Sequence, residues 1–361
     1  MTSSSQEPPP EISQQEEAED ASADQFQEND STFGDDLVLQ ERHDVFVVQN
    51  YKVQRRGTVQ YSLSQYHAAD QIVQNGRRYH AYRDGNYLLP NDDAEQDRLD
   101  LHHHVFQLSS GGKLFRAPLE DPKRVLDIGT GTGIWAIDFA DQFPGSLVVG
   151  TDLSPIQPGW IPPNLEFEVD DCEDDWNRKT NFDYIHVRSL SGAIKDWPRL
   201  LAQAFEYLNP GGWIEVTEFE VWVRSEDGSM QHAPMIQQWQ ENLIAAGAKI
   251  GRDFEVAVHL KEWIEKAGFT GVTQHVSQVP LGPWQKGKTL KEMGLFQQQN
   301  MLDASSSYGQ AHFTRVLGWS LPEYLVLSAG VRKEMTDPKL HLYSDLFVVY
   351  GQKPDAHKAE N

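Results

Sequence analysis

Residues 124–135 read RVLDIGTGTGIW. A short apolar run, Val125-Leu126, reaches an acid, Asp127. Gly129, Gly131 and Gly133 then alternate with threonine before a stretch of helical period, IWAIDFADQF. A strand that ends in an acid and turns through glycines into a helix is a nucleotide-type binding loop. Without Cβ atoms, backbone N–H groups and the helix N-terminus can approach a ligand closely. The dinucleotide fingerprint is G-x-G-x-x-G. Here the third glycine comes only two residues after the second. Asp127 stands two residues before the first, where it would repel a pyrophosphate and attract an ammonium group.

Working outward, short apolar runs at 124–128, 147–151, 165–169, 182–187 and 212–218 alternate with helical stretches such as WPRLLAQAFEYL. That alternation predicts an α/β fold with a mainly parallel, Rossmann-like sheet and helices on both faces. Between the second and third strands, SPIQPGWIPPN carries Pro155, Pro158, Pro162 and Pro163, which exclude a regular helix there. Helices are expected at about 232–249 and 254–266 and a short strand at 271–279. A mostly helical insertion over about 285–335 precedes the closing strand LFVVYGQKP, which suits a late antiparallel strand at the sheet edge. Upstream, Asp92 or Asp93 can cap a helix running to about Leu108.

The 361 residues divide into a 1–45 acidic tail, a 46–120 tyrosine-rich and helical segment covering the site, a binding domain over 121–354, and a short tail over 355–361. The net charge is −23, and residues 1–40 carry acids from Glu7 to Asp36 with no Lys or Arg, so that tail is expected to be disordered. Its plain role is solubility, and an arm for a basic partner is the sharper one. The acidic balance argues against direct nucleic-acid binding, which needs clustered Lys and Arg. Cys172 is the only cysteine, so no internal disulfide forms. No apolar run approaches a bilayer span, and the start is unlike a signal peptide. An intracellular protein of the nucleus or cytoplasm is expected.

Asp127 and the loop Gly129, Thr130, Gly131, Gly133 suit a ligand with an amino group and no phosphate, which S-adenosylmethionine provides. The second strand ends in Asp152, followed by Leu153, where a carboxylate can accept both adenosine hydroxyls. The third ends in FEVDDCE, placing Asp171 and Cys172 at the adenine edge. Asp170 could serve instead of Asp171, and Cys172 could simply pack. The fourth, FDYIHVRS, brings His186, Val187 and Arg188 to the methionine end. Four landmarks in order make a specific signal.

His102, His103 and His104 are consecutive on a helix and point about 100° apart, so they cannot share a metal ion, and no metal is expected. The plain reading has one of them facing the core and the others solvent; the sharper one puts a residue of the run, His103, at the site mouth. Tyr79, Tyr82 and Tyr87 lie upstream; packing is their plain role, and closure of one of them over the cofactor the sharper one. Arg188 could instead pair with a surface acid. With Tyr79, Tyr82, His103 and His186, Trp284 completes the expected substrate pocket. GPWQKGKT (Gly282–Thr289) matches the P-loop pattern, but Pro283 has no N–H and Trp284 is bulky. Past the loop, no Tyr is followed four residues later by Lys, which excludes a short-chain reductase.

The chain resembles class I S-adenosylmethionine-dependent methyltransferases, and among them the fungal LaeA-like methyltransferases. The narrow matches are YLLPNDDAEQDRLDLHHH and DLSPIQPGWIPPN, with LNPGGWIE and VPLGPW beyond them. The resemblance implies a regulator of secondary metabolism and development acting on a protein within a complex, with velvet-domain or other methyltransferase-like partners. Two alternatives stand beside it: an enzyme methylating a small natural product, and a scaffold that holds the cofactor without turnover. A deep apolar acceptor pocket favours the small molecule, and an open charged cleft the protein. No dedicated catalytic residue is expected, because in-line methyl transfer depends mainly on alignment.

Overall fold

A computed structural model describes residues 71–80 and 88–355. The expectations for the acidic tail, for Tyr82 and Tyr87, and for the chain beyond Asp355 lie outside those residues.

A two-stranded hairpin, β1 (Gln71–Gln74) and β2 (Arg77–His80), precedes α1 (Asp93–Ser109). Asp92 caps α1 by accepting from the Glu95 N–H at 3.1 Å, as an acid at that position should. The main sheet then begins with β3 (Arg124–Ile128), α2 (Ile134–Gln142), β4 (Leu147–Asp152), β5 (Leu165–Val169) and β6 (Phe182–Arg188). It continues through α3 (Trp197–Tyr207), β7 (Leu208–Arg224), α4 (Pro234–Lys249), α5 (Leu260–Lys266) and β8 (Thr270–Leu281). The last elements are α6 (Lys288–Ala311), α7 (Leu321–Met335) and β9 (Leu342–Gln352).

The seven strands lie in the order β5-β4-β3-β6-β7-β9-β8. The first five run parallel, and β9 runs antiparallel to both of its neighbours, β7 and β8. The edge belongs to β8, and the closing strand β9 sits inside it. β8 also runs longer than its sequence suggested, because it pairs with β9 along nearly its whole length.

Parallel strands covered on both faces are apolar throughout, and Val125, Leu126 and Ile128 are all buried. One face packs under α3 and α5 through Leu200, Leu201, Leu260 and Ile264. The other packs under α2 through Trp135, Ala136 and Phe139. Between β4 and β5 there is no helix, as the four prolines require. A further core joins α4, α6 and α7 around Trp239, Leu243, Phe313, Tyr324 and Val331. Ser320 and Glu323 form a capping box that starts α7.

This topology fixes where a ligand binds. Asp127 of β3 is opposite Gly150 of β4 on one side and His186 of β6 on the other. The chain leaves β3 in opposite directions there, and the carboxyl edge of such a switch point opens a crevice.

Candidate active site

The loop after β3 places Gly129, Gly131 and Gly133 at φ values of 67°, 58° and 81°, a region that only glycine enters at little cost. Their missing Cβ atoms serve different neighbours. A Cβ on Gly129 would stand 2.5 Å from Leu190, and one on Gly133 would stand 2.4 Å from Phe167. Only at Gly131 is there ordinary room, with Leu99 at 3.6 Å. Gly129 lines the cavity with Gly131 and makes room for Leu190, another lining residue, whereas Gly133 makes room for Phe167 and does not line the cavity, a correction to the reading of the whole loop as ligand-facing.

The loop's N–H groups are also engaged within the fold. Thr130 N donates to Thr151 O at 2.9 Å, Gly131 N to Asp152 Oδ2 at 2.9 Å, and Gly133 N to Thr130 O at 2.9 Å. A phosphate cradle needs such groups free.

Above the loop lies a cavity of about 110 Å³. Its floor contains Asp127, buried at 3% exposure. Asp127 Oδ2 accepts from the Thr130 hydroxyl at 2.5 Å, and its Oδ1 lies 2.7 Å from His186 Nδ1. The His186 ring is stacked on Trp135, with centroids 3.7 Å apart and planes 7° apart. Burial lowers the pKa of His186 more than Asp127 raises it, so the ring is neutral near pH 7 and donates Nδ1–H. The Asp127 carboxylate keeps its charge uncancelled by a histidinium.

The walls carry two more acids. Asp152, at the end of β4, holds Gly131 N with one oxygen and Ser154 N with the other, at 2.9 Å each. Leu153 follows it along the cavity. Asp171 accepts from Glu173 N at 3.0 Å. Its neighbour Asp170 also reaches the cavity but is paired with Arg178 at 2.7 Å. Cys172 lines the same wall, and burial first, then nearby acids, push its thiol well above the usual range, which makes it a packing group.

The roof is α1, through Leu99, His102 and Phe106. The histidine at the cavity is His102. The next residue, His103, is turned behind it, with Nε2 3.0 Å from Asp138 Oδ2 and Nδ1 3.0 Å from an Arg188 guanidinium nitrogen. A helix turns by about 100° per residue, so a run of three histidines presents one to the site and sends its neighbour elsewhere. Arg188 reaches the cavity, lies over Phe106 at 4.5 Å, and does not pair with a surface acid. Burial pulls its pKa down to about 10, with Asp127 and Asp138 opposing. Burial keeps both His102 and His103 below their ordinary pKa.

Three expected residues fall elsewhere. Val187 is fully buried in the core under α3, because alternate residues of β6 face opposite sides of the sheet. Tyr79 is buried with Leu88 and Ala311, under the Arg315 guanidinium at 4.4 Å. Trp284 donates Nε1–H to Leu342 O at 2.8 Å and stacks on His341, so it anchors the insertion to β9. Sequence reading missed Trp135 and Leu190. It had both cues in hand, an aromatic in the first turn after the loop and an apolar residue just past β6.

A family model described as a methyltransferase domain matches residues 101–274. Methyltransferase pytC of Aspergillus terreus is 44% identical over 283 residues, spanning 78% of this chain and 87% of that one. Secondary metabolism regulator LAE1 of Cochliobolus heterostrophus is 34% identical over 290 residues, spanning 78% and 94%. Protein-methionine methyltransferase laeA of Emericella nidulans is 34% identical over 286 residues, spanning 78% and 76%.

The chain belongs to the LaeA-like methyltransferases. Its methyl donor is S-adenosylmethionine, and the cavity at the end of β3 suits that molecule chemically. Asp127, Asp152 and Asp171 offer acceptors to an ammonium and to hydroxyls, while the loop N–H groups that a phosphate would need are taken. Arg188 and Arg252, the cations at this cavity among the described residues, are engaged by His103 and Glu173.

A second cavity, also about 110 Å³, meets the first at His102 and Ser189. Phe219, Trp239, Leu243, Phe254 and Met301 give it apolar walls. Ser189 at the junction has φ 58°, a left-handed conformation unusual for a residue other than glycine. Glu218, at the carboxyl end of the parallel part of β7, opens into this cavity. The sequence signal for it is the acid closing WIEVTE, one more strand-end carboxylate.

Proposed function

We propose that the cavity at β3 binds S-adenosylmethionine and the adjoining cavity receives the methyl acceptor. In this reading Asp127 meets the donor's ammonium group, Asp152 its ribose hydroxyls, and Asp171 with the Cys172 backbone its adenine. Gly131 gives the close approach, Leu153 packs beside the adenosine, and Arg188 with His186 orders the methionine end. The donor supplies an electrophilic methyl group when bound. The chain's own residues hold both partners in line and exclude water.

The acceptor we propose is a protein side chain, a methionine thioether. The observation carrying this reading is the aromatic and apolar lining of the second cavity, Phe219, Trp239, Phe254 and Met301, where it adjoins the donor cavity. A methionine thioether packs favourably against aromatic rings of that kind. A thioether carries no proton to lose, so its methylation asks no general base of the cavity. The name of the Emericella nidulans relative, a protein-methionine methyltransferase, supports the same acceptor. Action within a complex, with velvet-domain or methyltransferase-like partners in the nucleus or cytoplasm, is the regulatory setting this reading carries. Among the described residues no helix is long and apolar enough to cross a membrane.

A second reading keeps one specific observation. The cavity is apolar, which by the reasoning above suits a small natural product, and the 44% identical relative is named simply a methyltransferase. Incubation with methyl-labelled S-adenosylmethionine and an extract of the source cells separates the two. Label retained in a protein band supports the protein acceptor. Label only in the organic-soluble fraction makes the enzyme biosynthetic. No transfer, with the cofactor bound, leaves a scaffold.

A further inference from the structure

We propose that Glu218 is the counter-charge for an acceptor that becomes an onium cation on methylation, a thioether turning into a sulfonium. This rests on the reading of the second cavity as the acceptor site.

Glu218 is 1% exposed and opens into that cavity. Its hydrogen bonds come from neutral donors: Leu190 N at 2.6 Å, Ser191 N at 3.3 Å and the Ser191 hydroxyl at 2.9 Å. Among the described residues no Lys or Arg stands within ion-pair distance of it. The other acid at this cavity, Glu220, is matched by Arg224 on its own strand. A buried carboxylate normally has such a partner, because desolvating a lone charge is expensive.

The groups facing Glu218 do not supply the missing charge. From α1, Arg98 lines the cavity but is paired with buried Glu95 at 2.6 Å, and His102 is held neutral by burial. From β6, Arg188 acts only at a distance and is bonded to His103. From α6, Tyr308 is neutral. Burial outweighs these influences and the hydrogen bonds, so the Glu218 carboxyl is pushed up to about 7.

Phe219 and Trp239 line the cavity beside it, and Tyr308 does so with the Arg98 guanidinium over its ring at 5.2 Å. Aromatic rings attract cations through their quadrupoles, most strongly where water is excluded. A carboxylate without a cation among aromatic rings is the complement of an onium group.

The charge bookkeeping agrees. The acceptor's lone pair forms the new bond to the methyl carbon, and the bond from that carbon to the donor sulfur breaks, its pair staying on that sulfur. No proton moves, and one positive charge ends in the second cavity. A carboxylate already placed where charge arrives lowers the barrier without reorganising. A purely structural reading of Glu218 makes it a clamp on residues 189–191. Glutamine would keep one accepting oxygen, for Leu190 N or for Ser191, and turn an NH2 to the other, so the pH dependence of the wild type, which leaves the side chain in place, stands beside the variant as the test of the charge.

The test uses the full chain saturated with S-adenosylhomocysteine and two probes, N-acetylmethionine amide and its S-methyl sulfonium, titrated by calorimetry. The wild type at about pH 8.5 is expected to bind the sulfonium about tenfold tighter, the scale of an interaction with a charged partner. That preference should shrink toward unity at about pH 5.5, as the carboxyl protonates. In Glu218→Gln it should be near unity at both pH values, with S-adenosylhomocysteine affinity retained. A wild type without preference, or a preference surviving in Glu218→Gln, overturns the proposal. If the variant does not fold, the wild-type ratio at the two pH values decides alone. If neither probe binds the loaded protein, the acceptor-cavity reading falls with it, whereas equal binding of both probes sinks only the role of Glu218.

Discussion

His186 Nδ1 lies 2.7 Å from Asp127 Oδ1, and the imidazole that makes this contact is itself stacked on Trp135. The histidine orients the carboxylate by a hydrogen bond without neutralising it. Asp127→Asn should therefore weaken S-adenosylhomocysteine binding by about ten- to a hundredfold, the scale of a hydrogen bond to a charged group. His186→Phe keeps the stack, removes the hydrogen bond, and should give a smaller loss in the same direction. Calorimetric affinities for the two variants decide. Wild-type affinity in Asp127→Asn would remove the carboxylate from the cofactor site.

The glycines of the loop divide between fold and ligand. A Cβ at Gly133 would meet Phe167 at 2.4 Å, but one at Gly131 would have Leu99 no nearer than 3.6 Å. Both positions have positive φ, which costs any other residue about 1–2 kcal/mol. Gly133→Ala adds overpacking of about 1–3 kcal/mol. We expect it to melt well below Gly131→Ala in a thermal scan. The reverse order is expected for ligand binding per folded molecule, with Gly131→Ala losing more.

Much of this division was hidden in the sequence for a physical reason. RVLDIGTGTGIW revealed a strand, a tight turn and a helix, because acid, glycine and periodicity are local signals. Which atom fills the space beside each glycine depends on Leu190, just past β6, and on Phe167 of β5, both distant in sequence. The positions of the parallel strands along the chain, the helix-free crossover and the helical insertion were legible, but their order across the sheet was not. So were the acids at the ends of β3, β4 and β5. His102 was displaced by one residue to His103, since α1 buries Glu95, Arg98 and Asp100 on its inner side and blurs the apolar stripe that would set its phase. Val187 and Trp284 were misplaced because strand facing and insertion packing are tertiary facts.

Asp152 has two duties in the described geometry. Its oxygens hold the loop at Gly131 N and the turn at Ser154 N, and each retains lone pairs that adenosine hydroxyls can meet. Asp152→Ala should lose both the ligand contacts and the loop restraint. S-adenosylhomocysteine affinity should fall by about tenfold or more, given one or two hydrogen bonds to a charged acceptor. 5′-Methylthioadenosine, which keeps the ribose but lacks the amino acid, should lose a comparable factor. Unchanged affinity for both ligands in Asp152→Ala shows the ribose assignment to be wrong.

Glu215 gives a prediction on stability rather than binding. Its Oε2 accepts both Arg116 N at 2.8 Å and Ala117 N at 2.7 Å, tying the segment before β3 to β7. Burial raises its pKa from 4.5 to about 7, against those two hydrogen bonds. A carboxyl raised in the folded state contributes stability that is complete below the unfolded value, near pH 4.5, and is lost as pH rises through about 7. The buried histidines act oppositely: their lowered values give stability that is complete above about pH 6.5 and is lost as pH falls. The wild-type profile mixes both, so the informative quantity is a difference. Glutamine can present one carbonyl oxygen to both N–H groups and does not titrate. Relative to wild type, Glu215→Gln should gain stability between about pH 5 and pH 8, by about 2–3 kcal/mol if the whole shift is realised. Chemical denaturation at the two pH values measures it. Parallel profiles for the two proteins would mean that Glu215 is ionised in the fold across that range, with its charge fully held by the two backbone donors.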